Sequence, residues 1–357
     1  MTPGPADRTA RAAARDAKLD ATQEMLEAAV GALVTGDDWR RALEFTARFR
    51  TRSFNNTLLI YLQHLQAYEQ GRVPDPTPTY VAGYHQWLAL GRHVLKGQAG
   101  YVILAPVTAR YANDDPERDA WRRLAPYERP GPGEALRSRV VGVKRAHVWD
   151  VSQTDGDPLP EPPMPVLLQG TAPDGLWDGL AARIVDAGFG LRRVPDATTM
   201  HGANGLTDYA AKVVSVRQDM GAAAQVKTLA HELGHVLLHG PDNPDAALHR
   251  GIAEVEAESV ALMIGAAHGL DTTTYTVPYV ASWASSVPGK SPIEVVKSTA
   301  ERVRTTAASI LDKLATAQVG NGEPPGLEAI RQAAAATPPR QGRSRDHRTT
   351  RSTVVTR

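Results

Sequence analysis

Two histidines and a glutamate stand in a five-residue pattern that can bind a metal ion and use it. His231-Glu232-Leu233-Gly234-His235 matches H-E-x-x-H, in which the histidines are four positions apart. On a helix this spacing places both imidazoles on one face, close enough to hold one ion. We predict His231 and His235 as metal ligands and Glu232 as a general base.

The residues around the motif predict the helix that it needs. Apolar side chains recur at helical spacing along one side: Val226, Leu229, Ala230, Leu233 and Leu237. The two histidines point away from this stripe, and Gly240-Pro241 ends the helix. We therefore expect the histidines to face a cleft. Two solvated histidines on an ordinary helix are the simpler alternative, because short patterns also arise by chance.

Two histidines leave a catalytic zinc ion short of a ligand, because such sites usually supply three protein ligands. Glu254 and Glu258 lie four positions apart on a second predicted helix, whereas Glu256 points to its opposite face. We predict Glu254 as the third ligand and Glu258 as the carboxylate that orients a ligand histidine. The spacing alone also allows Glu258 to be the ligand.

Zn²⁺ is the expected ion because the sequence has no cysteine and offers histidine and carboxylate ligands. The longer pattern H-E-x-x-H-x-x-G-x-x-H is excluded by Leu238 and Pro241, so His239 is not a third ligand by that route. Such a site suits peptide hydrolysis, in which Glu232 takes a proton from water and passes it to the leaving amine. A metal site without catalysis is the alternative.

The sequence does not assign single residues to the other roles that peptide hydrolysis needs, oxyanion stabilisation and substrate binding. A tyrosine or histidine often stabilises the oxyanion in these sites. The candidates are His201, Tyr209, His249, Tyr275 and Tyr279. The strand predicted at residues 212–216 is either an edge strand that pairs with an extended substrate or an ordinary strand of a sheet.

The whole chain has the composition of a globular protein. Its 357 residues carry 40 Lys and Arg against 39 Asp and Glu, for a net charge of +1. This balance argues against non-specific nucleic-acid binding by the molecule as a whole, so any such binding must use a local patch. The lack of cysteine fits a reducing compartment, and we expect a cytoplasmic protein without a signal peptide or membrane span.

The order of predicted elements indicates an α+β fold with two domains. A mostly helical first domain contains a small β-hairpin, formed by runs at 101–104 and 140–149, and the second domain holds the motif helix. Asp37 or Asp38 can cap the second helix, and Ser53 the third. The expected divisions are an N-terminal helix (1–36), the first domain (37–154), a Pro-rich linker (155–166), the second domain (167–318) and a disordered basic tail (319–357).

The first domain combines cations with aromatic rings. Between Asp38 and Gly100 there are eight basic residues against four acidic ones, with Phe, Tyr and Trp interleaved among them. Proteins that bind single strands use this mixture, cations for the phosphates and rings for the bases. The same rings also fall at helical core spacings, and arginines commonly coat a surface, so an ordinary folded domain explains them as well.

Two parts of the chain resemble known families. Four segments of the first domain resemble the N-terminal domain of ArdC-type antirestriction proteins: Ser53-Phe-Asn-Asn-Thr-Leu-Leu-Ile, Gly83-Tyr-His-Gln-Trp87, Gly91-Arg-His-Val-Leu-Lys-Gly97 and Val148-Trp-Asp-Val-Ser-Gln-Thr-Asp-Gly156. The segments Lys227-Thr-Leu-Ala-His-Glu-Leu-Gly-His-Val-Leu-Leu-His239 and Glu254-Val-Glu-Ala-Glu-Ser-Val-Ala261 resemble the ImmA/IrrE group of metallopeptidases, including their spacing.

The resemblance implies a single-stranded-DNA-binding domain at 37–154 and a zincin-like zinc metallopeptidase domain at 167–318, with Glu254 as the third ligand. It also implies an antirestriction role on a plasmid or other mobile element, with single-stranded DNA as the partner. We predict DNA contacts within the resembling region: Arg52, Phe54, Asn55, Asn56, Trp87, Arg92 and Lys96. One alternative is a regulatory endopeptidase that cleaves a protein such as a repressor or a restriction component. Another is a non-catalytic DNA-protecting module with a structural metal.

Overall fold

A computed structural model describes residues 5–115, 120–160, 171–241, 250–273, 275, 277–285 and 287–336. Its α-helices are Pro5–Gly31, Gly36–Arg48, Phe54–Glu69, Tyr84–Ala89, Leu176–Asp186, Ala222–Leu238, Arg250–Ala267, Val280–Ala284, Pro292–Leu311 and Leu327–Ala336. Its strands are β1 (Val81–Gly83), β2 (His93–Val94), β3 (Tyr101–Asn113), β4 (Arg122–Arg123), β5 (Ala135–Asp150), β6 (Thr154–Asp155), β7 (Gly190–Val194), β8 (Gly205–Asp208) and β9 (Val213–Arg217). The predicted α+β class is confirmed. Within the described ranges, no helix is long and apolar enough to cross a membrane.

Short polar side chains begin the early helices, as N-caps do elsewhere. Ser53 caps Phe54–Glu69 as predicted, accepting a hydrogen bond from the backbone N–H of Asn56. The cap of Gly36–Arg48 is Thr35, rather than the predicted Asp37 or Asp38. Asp38 is instead the third helical residue, and its carboxylate accepts a hydrogen bond from the backbone N–H of Thr35 at 2.9 Å. This reciprocal pair satisfies two backbone groups, which a single aspartate cap would not do.

The predicted hairpin is present and much longer than the sequence runs that indicated it. β3 and β5 pair antiparallel from Tyr101↔Val148 to Asn113↔Ala135, and β1 and β4 flank them in the order β1-β5-β3-β4. The end of the hairpin near Tyr101 and Val148 is buried in a core cluster. The run at 101–104 lies in this buried end, whereas Val140, Val141 and Val143 of the second run lie in the exposed part of the hairpin.

Two side-chain amides of helix Phe54–Glu69 cover the edge of β3 that faces away from β5. Asn56 accepts a hydrogen bond from the N–H of Leu104 at 2.8 Å and donates one to its carbonyl at 2.9 Å. Gln63 does the same with Val102, at 2.8 and 3.0 Å. These amides replace a neighbouring strand, so the backbone groups of this edge are satisfied.

The main hydrophobic core joins both ends of the chain. Trp39, in the second helix, donates its indole N–H to Ser259 Oγ at 2.9 Å and packs against Trp283 with ring centroids 5.2 Å apart. Leu26 and Phe54 lie in the same buried cluster as the motif helix. The core therefore does not divide at the predicted linker, because the first three helices bury their apolar faces against the C-terminal half. Residues 161–166 of that linker lie outside the described residues.

The predicted disordered tail at 319–357 is wrong for its first part. Leu327 begins a helix that ends at Ala336 and is buried against Tyr80, Ala82 and Trp87. The carbonyl of Gly322 accepts a hydrogen bond from the N–H of Val81 at 2.9 Å. Val319, which is buried in the main core and donates its N–H to the carbonyl of Ala267 at 2.7 Å, also docks this segment. A few buried residues and backbone hydrogen bonds are too sparse a signal to appear in composition. Residues 337–357 lie outside the described residues.

A small three-stranded sheet in the C-terminal half has the order β7-β9-β8. β9, which corresponds to the strand predicted at 212–216, pairs with β7 on one side and with β8 on the other. The expectation that β9 is an edge strand is therefore wrong, and its alternative, an ordinary strand of the sheet, holds. Among the strands that the structure describes, β8 forms the edge beside the motif helix, because only β9 pairs with it.

Candidate metal centre

The motif helix, Ala222–Leu238, presents different side chains to its two sides. Val226, Leu229 and Leu233 are buried in the main core, as their spacing predicted. The motif glycine, Gly234, faces the helix Arg250–Ala267, and a Cβ there would lie 3.0 Å from the Cα of Ala257. Only a residue without a side chain lets the two helices approach this closely. We call Arg250–Ala267 the carboxylate helix, because Glu254, Glu256 and Glu258 lie on it.

Three potential metal ligands converge between these two helices. The Nε2 atoms of His231 and His235 lie 3.0 Å apart. Oε2 of Glu254 lies 3.5 Å from Nε2 of His231, and Oε1 lies 3.7 Å from Nε2 of His235. Ligands around a tetrahedral zinc ion are separated by about 3.3 Å, given zinc–ligand distances near 2.0 Å. The three donors therefore fit one small divalent ion, and among the described residues they are the group that meets this test.

Glu258 occupies a different position from Glu254. Its Oε2 lies 3.1 Å from Nδ1 of His231, and its Oε1 lies 3.0 Å from Nζ of Lys227. A carboxylate accepts, so His231 donates its Nδ1–H and keeps the lone pair of Nε2 for a metal. The alternative that Glu258 is the ligand has no support in this geometry, since Glu258 faces the ring nitrogen remote from Glu254.

His235 is oriented through a longer chain of hydrogen bonds. Its Nδ1 lies 3.0 Å from Nδ1 of His239, and His239 Nε2 lies 2.9 Å from Oε2 of Glu256. Nε of Arg302 donates to the other oxygen of Glu256 at 2.7 Å. Because Glu256 accepts from Nε2–H of His239, a neutral His239 can only accept at Nδ1. His235 must then donate from Nδ1, which leaves its Nε2 lone pair directed at the donor cluster.

The electrostatics of the cluster favour an added positive charge. Burial lowers the pKa of His231, but hydrogen bonds with Glu254 and Glu258 outweigh this effect and raise the pKa to about 9. Hydrogen bonds from His231 and His235 hold the pKa of Glu254 well below its usual range. A proton and a metal ion compete for the same lone pairs, so a site that stabilises one cation is suited to another.

Glu232 lies in the wall of a cavity beside these ligands. The cavity has a volume of about 260 Å³, and its lining includes Gly205, His231 and Glu232. Oε2 of the buried Glu232 accepts a hydrogen bond from the hydroxyl of Thr207 in β8 at 2.7 Å. At Gly205 a Cβ would lie 2.5 Å from Oε1 of the same carboxylate. Thr207 of β8 therefore binds one carboxylate oxygen of Glu232, and the lack of a side chain at Gly205 leaves room for the other oxygen.

The candidates for oxyanion stabilisation lie in different surroundings. Tyr209 donates its hydroxyl to the carbonyl of His235 at 2.9 Å, and burial together with the charges of Glu232 and Glu254 raises its pKa to about 12. Tyr275 is buried beneath the ammonium of Lys227, and Tyr279 and His201 are exposed. His249 lies outside the described residues. Tyr209 thus adjoins the motif helix as a neutral hydroxyl, and it would have to release the His235 carbonyl to donate to an oxyanion.

Most of the residues predicted to contact DNA support the fold instead. Phe54 and Trp87 are buried, so neither ring has a face for a base, and Asn56 covers the edge of β3. Arg92 is buried and donates to the Thr154 hydroxyl at 2.9 Å, the Thr154 carbonyl at 3.1 Å and the Asp157 carbonyl. The remaining three are a half-buried Arg52, which donates to the Val81 carbonyl, a half-buried Asn55 and an exposed Lys96.

The structure adds four functional candidates that the sequence patterns did not predict. Thr207 is a threonine on a short strand, and its contact with Glu232 spans 25 positions. His239, Glu256 and Arg302 form their chain across three helices. Helical spacing offered one signal, because His239 lies four positions beyond His235 and therefore on the same face. No sequence pattern near Thr207 or Arg302 indicated a functional role for either residue.

Two family models match the chain. The model described as the N-terminal domain of anti-restriction factor ArdC matches residues 20–148, and the model described as an IrrE N-terminal-like peptidase domain matches residues 191–276. The chain therefore combines an ArdC-type N-terminal domain with an IrrE-type, metallopeptidase-like domain, as its sequence resemblances predicted. No curated protein matches the chain significantly.

Among solved structures, two crystal structures of the antirestriction protein ArdC from the R388 plasmid are similar to this chain. The metal-free structure aligns at 19% identity over 72% of this chain and 84% of that one, with a TM-score of 0.42. The Mn(II)-bound structure aligns at 19% identity over 73% of this chain and 88% of that one, with a TM-score of 0.41.

Proposed function

We propose that this chain, with its ArdC-type and IrrE-type domains, is a single-stranded-DNA-binding protein with a metal-dependent peptidase centre. Its proposed role is to help a mobile element escape restriction. The observation that carries the enzymatic part is the cluster of His231, His235 and Glu254, whose donor atoms lie 3.0 to 3.7 Å apart. The match of residues 20–148 to the ArdC N-terminal domain supports the DNA-binding part.

In this proposal His231, His235 and Glu254 hold a divalent ion, and zinc is the default for two histidines and a carboxylate. When bound, the ion supplies a Lewis acid that activates water and polarises a peptide carbonyl. Glu232 acts as the general base and delivers the proton to the leaving amine nitrogen. Thr207 steadies one oxygen of Glu232, and Tyr209 adjoins the centre as a neutral hydroxyl donor.

The edge of β8 is the proposed place for the substrate backbone. An extended peptide can add to a sheet edge through main-chain hydrogen bonds. β8 follows Asn204, and both Asn204 and Gly205 line the cavity next to Glu232. The residues of β8 are half-buried or exposed, and Leu206 is 55% exposed. A peptide on this edge would run alongside the cavity that contains Glu232.

Metal content is the first test. Elemental analysis of the purified protein, after reconstitution with Zn²⁺ and separately with Mn²⁺, should find about one ion per chain. His235→Ala should lose it, while His147→Ala, a change of a histidine distant in sequence from the motif, should retain it. Absence of metal from the wild-type protein after both reconstitutions would contradict the proposed centre.

Hydrolysis is the second test, and it separates catalysis from a structural metal. Wild-type protein and Glu232→Gln are incubated with unfolded casein, with and without a single-stranded oligonucleotide, and new amino termini are counted. Glu232→Gln should keep the metal and lose at least about a hundredfold in rate, the usual contribution of a general base. Equal rates in both proteins would remove Glu232 from the mechanism. A metal-loaded wild type that cleaves neither casein nor a co-expressed repressor would favour the non-catalytic alternative.

A further inference from the structure

The hairpin formed by β3 and β5 extends beyond the core. Its inner end near Tyr101 and Val148 is buried, whereas residues 136–144 are exposed on both faces of the sheet. A strand whose alternate side chains are all exposed packs against nothing on either face. We call the outer part of this hairpin, residues 105–113 and 135–144 together with β4, the arm.

Strand register places five basic or aromatic side chains on one face of the arm, and a cation–π contact with Arg137 places Trp121 beside them. Residues paired directly across two strands share a face, and so do alternate residues along a strand. Tyr111 pairs with Arg137 in β5 and with Arg123 in β4, and Ala109 pairs with Arg139. A bulge between Val107 and Thr108 shifts the register, so that Lys144, opposite Ala105, joins the same face. We call this set the ring face: Tyr111, Trp121, Arg123, Arg137, Arg139 and Lys144.

Cations and rings are in contact on the ring face. The guanidinium of Arg137 lies 5.5 Å from the centroid of the Trp121 ring, and that of Arg139 lies 5.7 Å from the centroid of the Tyr111 ring. Both rings are half-buried, and both arginines are exposed. Stacking on a ring holds an arginine in place without neutralising its charge. The contacts therefore keep rings and positive charges side by side at the surface.

The three strands of the arm carry basic side chains and no carboxylate. No Asp or Glu occurs between Tyr101 and Asn113 or between Ala135 and Trp149. In the described part of the connecting loop, Glu128 and Glu134 form ion pairs with Arg122. Arg122 pairs with Ala112 and so belongs to the opposite face. The carboxylates of Asp114 and Asp115 follow the outer end of β3, beyond its last paired residue.

The opposite face of the arm is different. Leu136, Val140 and Val143 share it by register and are 53%, 64% and 45% exposed. The ring face thus combines cations with rings, whereas the opposite face carries exposed apolar side chains together with Arg110 and Arg122. A surface of cations alone would suit any polyanion, duplex DNA included. Rings set among the cations suit a ligand with both phosphates and unpaired bases, because stacking requires a base whose face is free.

We infer that the ring face of the arm binds single-stranded nucleic acid, with Arg123, Arg137, Arg139 and Lys144 contacting phosphates and Tyr111 and Trp121 stacking on bases. Alternate residues along a strand are about 7 Å apart, so successive rows of the face can follow an extended nucleotide chain. This inference rests on the proposed DNA-binding function and assigns it to a surface that none of the residues predicted from sequence belongs to.

Fluorescence anisotropy tests the charges. The probe is a labelled oligothymidylate of about 20 nucleotides, longer than the roughly 4–16 nucleotides that one binding fold covers. Arg137→Gln with Arg139→Gln should lower affinity about tenfold and reduce the slope of log affinity against log salt by about 1.4, for two lost phosphate contacts. The matched control, Arg192→Gln with Lys290→Gln, removes the same charge at exposed positions elsewhere. The control should leave both the affinity and the salt slope nearly unchanged.

A second pair of variants tests the rings. Trp121→Leu and Tyr111→Leu should each lower affinity about tenfold, the cost of one lost stacked base, and leave the salt slope unchanged. Tyr68→Leu, at an exposed tyrosine outside the arm, is the control. Thermal unfolding of each variant establishes that it is folded at the temperature of the titration. A duplex of the same length should bind more weakly than the single strand and be indifferent to Trp121→Leu.

The outcomes separate the inference from the function on which it rests. If the wild-type protein does not bind the single strand at all, the DNA-binding function itself fails. If the wild type binds, and the folded arm variants bind as tightly as their controls, the function stands and the ring face is overturned. Equal affinity for duplex and single strand, with no effect of either ring variant, would overturn the stacking contacts.

Discussion

The metal centre and the arm place polar side chains in opposite circumstances. At the centre, Glu258 holds His231, and Glu256 and His239 hold His235, so each side chain is fixed by the next. On the arm, the guanidinium groups of Arg137 and Arg139 lie over aromatic rings, and both residues are exposed. The first arrangement is a connected network at low dielectric, and the second is a row of separate contacts.

This difference predicts how each region responds to substitution. Groups that share hydrogen bonds are coupled, so that removing one disturbs its neighbours and effects are not additive. Exposed charges that contact different phosphates act nearly independently, and each carries a modest share of the affinity. Substitutions at the centre should therefore have large effects that depend on position in the network, whereas substitutions on the arm should add.

The largest effect is expected at Glu254. Glu254→Ala should abolish metal binding, because it removes one of three ligands, whereas Glu258→Gln should lower metal affinity only about 10- to 100-fold, as for a group that orients a ligand. Chelator-competition titrations measure both. Stoichiometric metal in Glu254→Ala together with its loss in Glu258→Gln would reverse the two assignments.

His239 gives the next largest effect. His239→Ala should lower metal affinity by about tenfold or more, because His235 loses the acceptor that directs its Nδ1–H. His239→Gln should recover much of this loss, since an amide can accept from His235 and donate to Glu256. The measurement is metal affinity with thermal stability alongside. If both variants lose stability equally while metal affinity is unchanged, His239 is a packing residue and the network is shorter than described.

A substitution at Gly205 tests whether the proposed general base, Glu232, can be displaced without a change in metal binding. Gly205→Ala places a methyl group against the Glu232 carboxylate, which must move. We expect a fall in hydrolysis of about tenfold from the displaced base, with metal affinity unchanged. Gly31→Ala, where a Cβ meets nothing within 4 Å, is the control. A parallel fall in metal affinity would mean that the carboxylate and the ligands move together.

Arg92 tests whether its segment supports the fold or contacts DNA. The expected effect is the smallest of the four. Arg92→Ala should lower the free energy of unfolding by about 2 kcal/mol, because removal of the buried guanidinium leaves its hydrogen-bond acceptors unpaired. Affinity for single-stranded DNA should be unchanged at temperatures where the variant is folded. Lys96→Ala, at an exposed residue of the same segment, should change neither. Loss of DNA binding in folded Arg92→Ala would return the DNA contact to this segment.

Local patterns predicted the elements well and the contacts of exposed segments poorly. The motif helix, the carboxylate helix and the hairpin all lie where spacing and hydrophobic runs placed them. The predicted DNA residues were taken from the region that resembles the ArdC-type domain, where cations and rings are interleaved, yet Trp87 and Arg92 are buried. Composition along a segment cannot tell a ring that packs inward from one that stacks outward. The arm was not predicted as a binding surface because strand register alone brings its cations and rings, which are far apart in the sequence, to one face.

Two errors about domain organisation have the same cause. Trp39 and Leu327 are buried residues with partners more than 200 positions away, Ser259 in one case and Tyr80 in the other. Local composition described their segments correctly as an amphipathic helix and a polar, proline-containing stretch. It could not show that each docks on a distant part of the chain.

The sequence by itself determined which side chains can form the proposed metal centre, because four positions on a helix place two imidazoles together whatever surrounds them. It also determined that Glu254 and Glu258 share a face of a second helix. Only the tertiary structure decided which carboxylate meets which ring nitrogen, because that depends on how closely Gly234 and Ala257 approach. The same holds for the ring face, whose side chains are brought together by the register of three strands and by a cation–π contact. Short-range geometry follows from spacing, whereas contacts between elements follow from packing and register.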